Sequence, residues 1–136
     1  MTQIPEQIRD CSLIRVCHPD GCKINSHPTP CNHPGKRPVV STNKTQPILE
    51  IRRWLEQGGN YGVVPQSDDN LLIVDADCPE AIQLIEQIMP DTFAVQSSPG
   101  SRHFYYRVPG YDNNQNWKTG EDEFASIRSD NWHTVG

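Results

Sequence analysis

The sequence has no long apolar run and no N-terminal segment of the secretory type. No stretch approaches the roughly 20 consecutive apolar residues that span a membrane. The first residues, Met1–Glu6, lack the basic and apolar regions of a signal peptide. We therefore expect a cytoplasmic protein that has no membrane partner.

The sequence also lacks a dense basic patch of the kind that binds DNA without regard to sequence. The net charge is −5, with +3 over residues 1–60 and −8 over residues 61–136. The acidic part contains Asp75 and Asp77, and bound cations would neutralise part of its charge. The net charge therefore does not exclude a nucleic-acid partner.

Apolar residues make up only 35% of the 136 residues, and there are twelve Pro and nine Gly. This composition predicts one loop-rich α+β domain. Helical spacing of apolar residues predicts two helices, and shorter apolar or β-branched runs predict strands. The predicted helices cover residues 45–57 and 79–89, and the predicted strands cover 13–16, 61–65, 71–77, 91–97 and 104–107, followed by a loop over 111–123 and two short strands around a turn over 124–136.

Two carboxylates leave the end of the most apolar strand. The run Leu71–Val74 continues into Asp75-Ala76-Asp77, and alternate residues of a strand point to the same face. Asp75 and Asp77 therefore lie side by side and can share Mg²⁺ or Mn²⁺, which prefer oxygen ligands. The simpler alternative is a strand that ends in a polar loop.

A second polar group stands at the entry to another strand. The turn Ser98–Gly100 leads into Ser101, Arg102 and His103 and then into an aromatic strand. Backbone N–H groups, a hydroxyl, a guanidinium and an imidazole are expected to converge there as a phosphate-binding site. An ordinary hairpin turn with one tethering His is the alternative.

Thiols and imidazoles are concentrated between residues 17 and 33. Because nothing suggests secretion, disulfides are disfavoured. Cys17, Cys22, His27 and Cys31 are spaced closely enough to hold one tetrahedral Zn²⁺ in a segment with few apolar residues. Free thiols in a loop, or a ligand set that uses His18 or His33, are the alternatives.

The order and spacing of these motifs resemble a known family. Asp75-x-Asp77 closing an apolar strand, followed by Ser101-x-His103 opening another, resembles the first two motifs of the archaeo-eukaryotic primase superfamily. More narrowly, residues 13–136 resemble the bifunctional DNA primase/polymerase N-terminal domain of plasmid, phage and mobile-element replication proteins. The phrases that add to the resemblance are Gly35–Pro38, Trp54, Asn60–Val64 and Ser98–His103.

The resemblance implies an α+β primase-like fold with a mixed or antiparallel sheet. An RRM-like half is expected to bring Asp75, Asp77 and His103 to one sheet surface. The predicted organisation is an N-terminal lead over 1–12 and a primase-polymerase domain over 13–136, truncated at its C-terminus, with a zinc-loop insertion over 17–33.

The resemblance also implies nucleotidyl transfer on a single-stranded DNA template during replication of a mobile element. Asp75, Asp77 and His103 are the expected catalytic residues. Asp75 and Asp77 are expected to hold two Mg²⁺ or Mn²⁺ ions, and Zn²⁺ is expected to be structural. Nucleoside triphosphate and template are the expected partners, with a helicase domain in the same or another chain. The expected nucleotide-binding residues are Ser101, Arg102 and His103, with Lys36 and Arg37 reaching phosphate or template.

One position departs from the family pattern. The third motif places an acid before an apolar-basic pair, and this chain has Ser126 before Ile127-Arg128. Two carboxylates alone would bind metal more weakly unless Glu123 or Asp130 compensates. The departure leaves two other functions open, a non-catalytic nucleotide- or nucleic-acid-binding module and a metal-dependent nuclease with His103 as general base.

Overall fold

The computed structural model describes residues 3–19, 33–39, 45–66, 69–111, 113–119, 122–130 and 132–135. Contacts divide the chain into two units, residues 1–64 with 135–136 and residues 65–134. The described residues form two α-helices and antiparallel sheets, which confirms the predicted α+β class. None of the helices in these ranges has the length and apolar character needed to cross a membrane.

A short 3-10 helix near the N-terminus precedes the regular elements. The predicted helices and the predicted strands before residue 108 all form, with ends that differ by a few residues. In chain order the elements are the 3-10 helix Glu6–Ile8, β1 (Leu13–Val16), α1 (Ile48–Glu56), β2 (Asn60–Val63), β3 (Leu71–Ala76), α2 (Pro79–Ile88), β4 (Ala94–Ser98), β5 (Ser101–Arg107), β6 (Gln115–Thr119), β7 (Asp122–Arg128) and β8 (Thr134–Val135).

The first unit is built on β1 and β2, which pair antiparallel in a sheet of order β1-β2-β8. Helix α1 begins only after Pro47, because the ψ angle of Pro47 is 145° and therefore extended. Trp54 of α1 is buried, and its Nε1 donates a hydrogen bond to the Val16 carbonyl at 2.8 Å. A Cβ on Gly59 would lie 2.2 Å from that nitrogen, so close packing of the ring requires glycine there.

The second unit contains one antiparallel five-stranded sheet in the order β4-β5-β3-β7-β6. Strand β3 is central, and successive residues along it point to opposite faces of the sheet. One face packs against α2 and forms the apolar cluster. Its buried members are Leu72, Val74, Ala76, Ala81, Phe104 and Ala125.

The prediction that residues 111–123 form a loop is wrong. It contains β6 and the start of β7, which pair antiparallel at the edge of the sheet. Four of the five residues of β6 are exposed, so burial imposes no apolar alternation by which the sequence would reveal the strand. The predicted tail strands are confirmed only in part, because the first belongs to the longer β7 and the second is the two-residue β8.

Candidate active site

The sheet register of the second unit brings three polar residues together. Asp75 of β3 lies directly opposite His103 of β5 on one side and opposite Ser126 of β7 on the other. Residues opposite one another in a sheet project to the same face. Asp75, His103 and Ser126 therefore share the face opposite α2, which we term the site face.

Asp75 is almost fully buried, at 6% exposure, and both of its carboxylate oxygens have cationic or hydrogen-bonding partners. His103 Nε2 lies 3.3 Å from Oδ1, and Arg128 Nη2 lies 3.0 Å from Oδ2. The imidazole is buried as deeply as the carboxylate, at 5% exposure. Its Nδ1 has no hydrogen-bond partner within the described ranges. These contacts fix the carboxylate in one orientation.

Arg128 was not predicted as a site residue, although it follows Ser126 by two residues and strand alternation assigns both to the same face. Its guanidinium is held at three points. Besides Asp75, Nε donates to the Ser126 hydroxyl at 3.4 Å, and Nη1 donates to the His133 carbonyl. The side chain is therefore an ordered cation within the site.

Asp77 follows the end of β3 and is less constrained than Asp75. Its backbone N–H donates to the Phe124 carbonyl at 2.9 Å, and its carbonyl accepts a hydrogen bond from Ser101 Oγ at 3.4 Å. These bonds tie its backbone to β7 and to the start of β5. The Asp77 side chain is only partly buried, so its carboxylate remains accessible.

The two carboxylates differ in proton affinity. Burial by itself would raise the pKa of Asp75, but the hydrogen bond and charge of His103 and the charge of Arg128 outweigh it and lower that pKa. Burial raises the pKa of Asp77 to about 6, and the neighbouring charges of Asp75 and Glu123 act in the same direction. Asp75 therefore loses its proton more readily than Asp77 does. A bound cation would stabilise the ionised form of Asp77 more than that of Asp75.

Arg102 does not converge with Ser101 and His103. It lies between them in β5, so strand alternation turns it to the α2 face. There its Nη1 lies 2.5 Å from Glu86 Oε1 of α2, and its guanidinium lies 6.0 Å from the centroid of the Phe104 ring. The prediction that the three side chains line one phosphate site therefore fails for the Arg102 guanidinium.

Of the two acids that could substitute for the acid missing at Ser126, Glu123 lies near enough to Asp77 for its charge to raise the pKa of that carboxyl. Trp117 lies opposite Ala125, but the next residue, Lys118, lies opposite Glu123, so Phe124 is the extra residue of a β-bulge. The bulge restarts the alternation and turns Glu123 toward the site face. There it pairs with Lys118 at 3.4 Å.

Asp130, the other candidate, lies beyond the end of β7. Its backbone is fixed by Asn114, whose Oδ1 accepts hydrogen bonds from the N–H groups of Ser129 and Asp130. The Asn114 Nδ2 in turn donates to the Asp130 carbonyl at 2.6 Å. These bonds fix the backbone conformation of residues 129–130, just after β7.

The other predicted site residues belong to the first unit. Lys36 and Arg37 are exposed on the turn that precedes Pro38. Cys17 is buried, and its thiol donates to the His33 carbonyl at 3.6 Å. The other three predicted zinc ligands, Cys22, His27 and Cys31, lie outside the described residues, so the zinc site stays a prediction.

The donor set fits a divalent cation only in part. Within the portion of the chain that the structure describes, no three His, Cys, Asp or Glu side chains lie close enough together to hold a metal ion. Asp75 and Asp77 nevertheless supply two carboxylates, and proteins often hold Mg²⁺ with one or two carboxylates while substrate phosphates and water complete the coordination. The pair therefore fits an ion that arrives with a phosphate ligand.

Paired carboxylates, an imidazole and a guanidinium on one sheet face are groups that can contact a cation or an anionic phosphate. Comparison with family models makes the assignment specific. Residues 23–135 match Prim-Pol, the bifunctional DNA primase/polymerase N-terminal domain. The match covers most of the chain, so the chain belongs to this family, and the resemblance seen in its motifs is confirmed. No curated protein matches the chain.

Family membership indicates a DNA primase/polymerase type of function and, with it, nucleotidyltransferase activity. The match includes Asp75, Asp77 and His103, and also Ser126, which stands where the family pattern has an acid. It begins beyond Cys17 and Cys22. The family assignment therefore rests on the part of the chain that contains the site face, and two of the four predicted zinc ligands lie outside it.

Proposed function

We propose that this chain is a primase-polymerase that transfers nucleotides on a single-stranded DNA template in the replication of a plasmid, phage or other mobile element. The observation that supports this most strongly is the fixed Asp75–His103 pair on adjacent strands, with Asp77 beside it, in a chain of the Prim-Pol family. A primase-like fold with an RRM-like half is part of the same proposal.

In the proposed reaction a 3′-hydroxyl oxygen bonds to the α-phosphorus of a nucleoside triphosphate. The bond from that phosphorus to the β-phosphate oxygen breaks, pyrophosphate leaves, and the hydroxyl proton passes to solvent. Asp75 and Asp77 would hold Mg²⁺ or Mn²⁺, which supplies charge neutralisation at the transferring phosphate. The chain's own contribution is positioning, since His103 and Arg128 orient Asp75 before any ligand binds.

The triphosphate is proposed to lie at the β4-β5 turn. Gly100 adopts a φ of +79°, which favours glycine, and the turn delivers Ser101 and His103 to the site face. The Ser101 hydroxyl and the backbone N–H groups of the turn are the donors for phosphate oxygens. Arg102 has no direct part in this arrangement, because its guanidinium pairs with Glu86 on the other face.

The remaining expectations are proposals for the first unit and for partners. Cys17, Cys22, His27 and Cys31 would hold a structural Zn²⁺, and Lys36 and Arg37 would contact phosphate or the template backbone. A helicase domain in the same or another chain would supply the template in a cytoplasmic replication complex. Chelation followed by zinc analysis, with Cys31→Ser as the variant, tests the metal site directly.

A non-catalytic binding module is the second candidate function. It is favoured by Ser126, which gives Asp75 a neutral neighbour where the family pattern has an acid. Such a module would bind nucleoside triphosphate and produce no polymer. A metal-dependent nuclease, the third possibility, would use His103 as a base, and binding of intact triphosphate would argue against it.

The deciding experiment is Mn²⁺-dependent incorporation of labelled nucleotide on single-stranded DNA. Asp77→Asn is the better test variant, because Asp75 also has a structural role through two buried contacts. Asp91→Asn, an exposed position before β4, is the matched control. We expect product from the wild type and the control and at least a hundredfold less from Asp77→Asn. Nucleotide binding without product in any chain would favour the binding module.

A further inference from the structure

The Asp75 carboxylate already has a permanent cation beside it. Arg128 Nη2 lies 3.0 Å from Oδ2, and His103 Nε2 lies 3.3 Å from Oδ1. The planar guanidinium of Arg128 therefore places a positive charge directly against this carboxylate. To place a metal ion on Oδ2, the protein would have to displace Arg128 from three acceptors, namely Asp75, Ser126 and His133.

Ser126 explains why Arg128 takes this position. An acid at position 126 would lie directly opposite Asp75 and two residues from Arg128 on the same face. It would compete with Asp75 for the guanidinium and would add a second negative charge for metal. The serine hydroxyl offers Arg128 Nε only a neutral hydrogen bond at 3.4 Å. The charge of Arg128 is therefore directed to Asp75.

We propose that Arg128 takes the place of one of two divalent cations, so that the chain binds a single Mg²⁺ or Mn²⁺ together with its nucleoside triphosphate. This inference rests on the proposed nucleotidyl transfer. The single ion lies on the Asp77 side of the carboxylate pair, because Arg128 occupies Oδ2 of Asp75 while the Asp77 side chain is only partly buried. The absence of a three-ligand group among the described residues agrees with one weakly held ion that depends on substrate phosphate.

Counting Mn²⁺ tests the proposal without measuring activity. Free Mn²⁺ is followed by its electron paramagnetic resonance signal during titration of the whole chain with a non-hydrolysable deoxynucleoside triphosphate. The Mn²⁺ held by nucleotide that is not bound to the chain is subtracted from the total bound Mn²⁺. We expect one Mn²⁺ per chain. Two equivalent ions on the wild type would overturn the inference while leaving the proposed function intact, whereas no binding of Mn²⁺ or nucleotide would overturn both.

Removing the guanidinium gives the sharper result. Arg128→Gln keeps a hydrogen-bond donor but removes the charge, so we expect a second Mn²⁺ to bind, with overall affinity at least fivefold higher. A purely structural role for Arg128 predicts weaker binding or none, and that result would contradict the inference. Arg107→Gln is the matched control, since Arg107 is an exposed arginine of β5 that donates to the Asp69 carbonyl at 2.9 Å. It should leave the count at one.

A second pair of variants is independent of Arg128. Ser126→Asp restores the acid and should bring the count to two, whereas the uncharged Ser126→Asn should remain at one. Circular dichroism establishes that each variant is folded before titration. If neither charge-altering variant folds, the wild-type count alone decides. A count of one for folded Ser126→Asp and for folded Arg128→Gln would show that the guanidinium does not control the ion number.

Discussion

The two faces of the five-stranded sheet are made by the same strands and have opposite character. On the α2 face, Val74 and Phe104 pack in an apolar cluster. On the site face, the adjacent residues Asp75 and His103 form a buried polar pair. Because neighbouring residues of a strand alternate between faces, stability and chemistry are assigned to neighbouring residues of β3 and β5. A register shift of one residue would turn the apolar side chains to the site face and the polar side chains to the α2 face.

The largest loss of stability is expected on the apolar face. Phe104→Ala should lower the free energy of unfolding by about 3–5 kcal/mol, because a buried ring leaves a cavity against Val74 and α2. Urea unfolding gives the value. Mn²⁺ affinity of the folded fraction should be unchanged, since the ring lies on the face away from Asp75. A tenfold loss of that affinity would show that the two faces are not separable.

Asp75→Ala should be the most damaging change on the site face, at roughly 3 kcal/mol, because it leaves the charge of Arg128 and the buried His103 without their carboxylate. Asp75→Asn retains a hydrogen-bond acceptor and should cost less. Thermal and urea unfolding of both variants provide the comparison. Equal losses would mean that the negative charge, which both variants remove, matters more than the side-chain volume and the hydrogen-bond acceptor that Asn retains.

Asp77→Asn should stabilise the fold, whereas Phe104→Ala and Asp75→Ala destabilise it. The folded-state pKa of Asp77 is about 6, above the ordinary 3.8, so the folded chain binds this proton more tightly than the unfolded chain. That contribution to stability is present at low pH and is lost as the pH rises from about 4 to 6. Above pH 7 the ionised carboxylate is therefore destabilising.

Removing that ionised carboxylate should raise the free energy of unfolding by on the order of 1 kcal/mol at pH 7, after allowance for solvent screening at this partly exposed site. The gain should shrink as the pH falls toward 4, where Asp77 of the folded chain is protonated. Urea unfolding at a series of pH values measures the difference between variant and wild type. A gain that does not change with pH would assign it to another cause.

The smallest effect is expected for Arg102→Gln. Its pair with Glu86 joins two side chains that are both substantially exposed, and such pairs contribute about 0–1 kcal/mol. Because the guanidinium lies on the α2 face, nucleotide affinity should not change. Ser101→Ala, on the neighbouring residue of the site face, should weaken nucleotide binding severalfold. Fluorescence titration with a labelled triphosphate compares them, and a larger effect for Arg102 would contradict the placement.

The sequence was most informative where burial imposes a pattern. The run Leu71–Val74 and the helical spacing in α1 and α2 predicted elements that the structure contains. Strand alternation from Asp75 to Asp77 was also readable. The exposed β6 was missed, because no buried side chain marks its period. Arg102 lies apart from Ser101 and His103 although it stands between them in sequence, because successive residues of a strand point to opposite faces.

By itself the sequence determined the α+β class and the family. It also determined which polar residues stand at the end of β3 and at the start of β5. Only the tertiary structure decided which of those residues meet, because sheet register is a non-local property. Register set Ser126 opposite Asp75, and the bulge at Phe124 turned Glu123 toward the site face. The Arg128–Asp75 pair follows from that register, since it joins side chains on different strands whose separation in sequence carries no distance information.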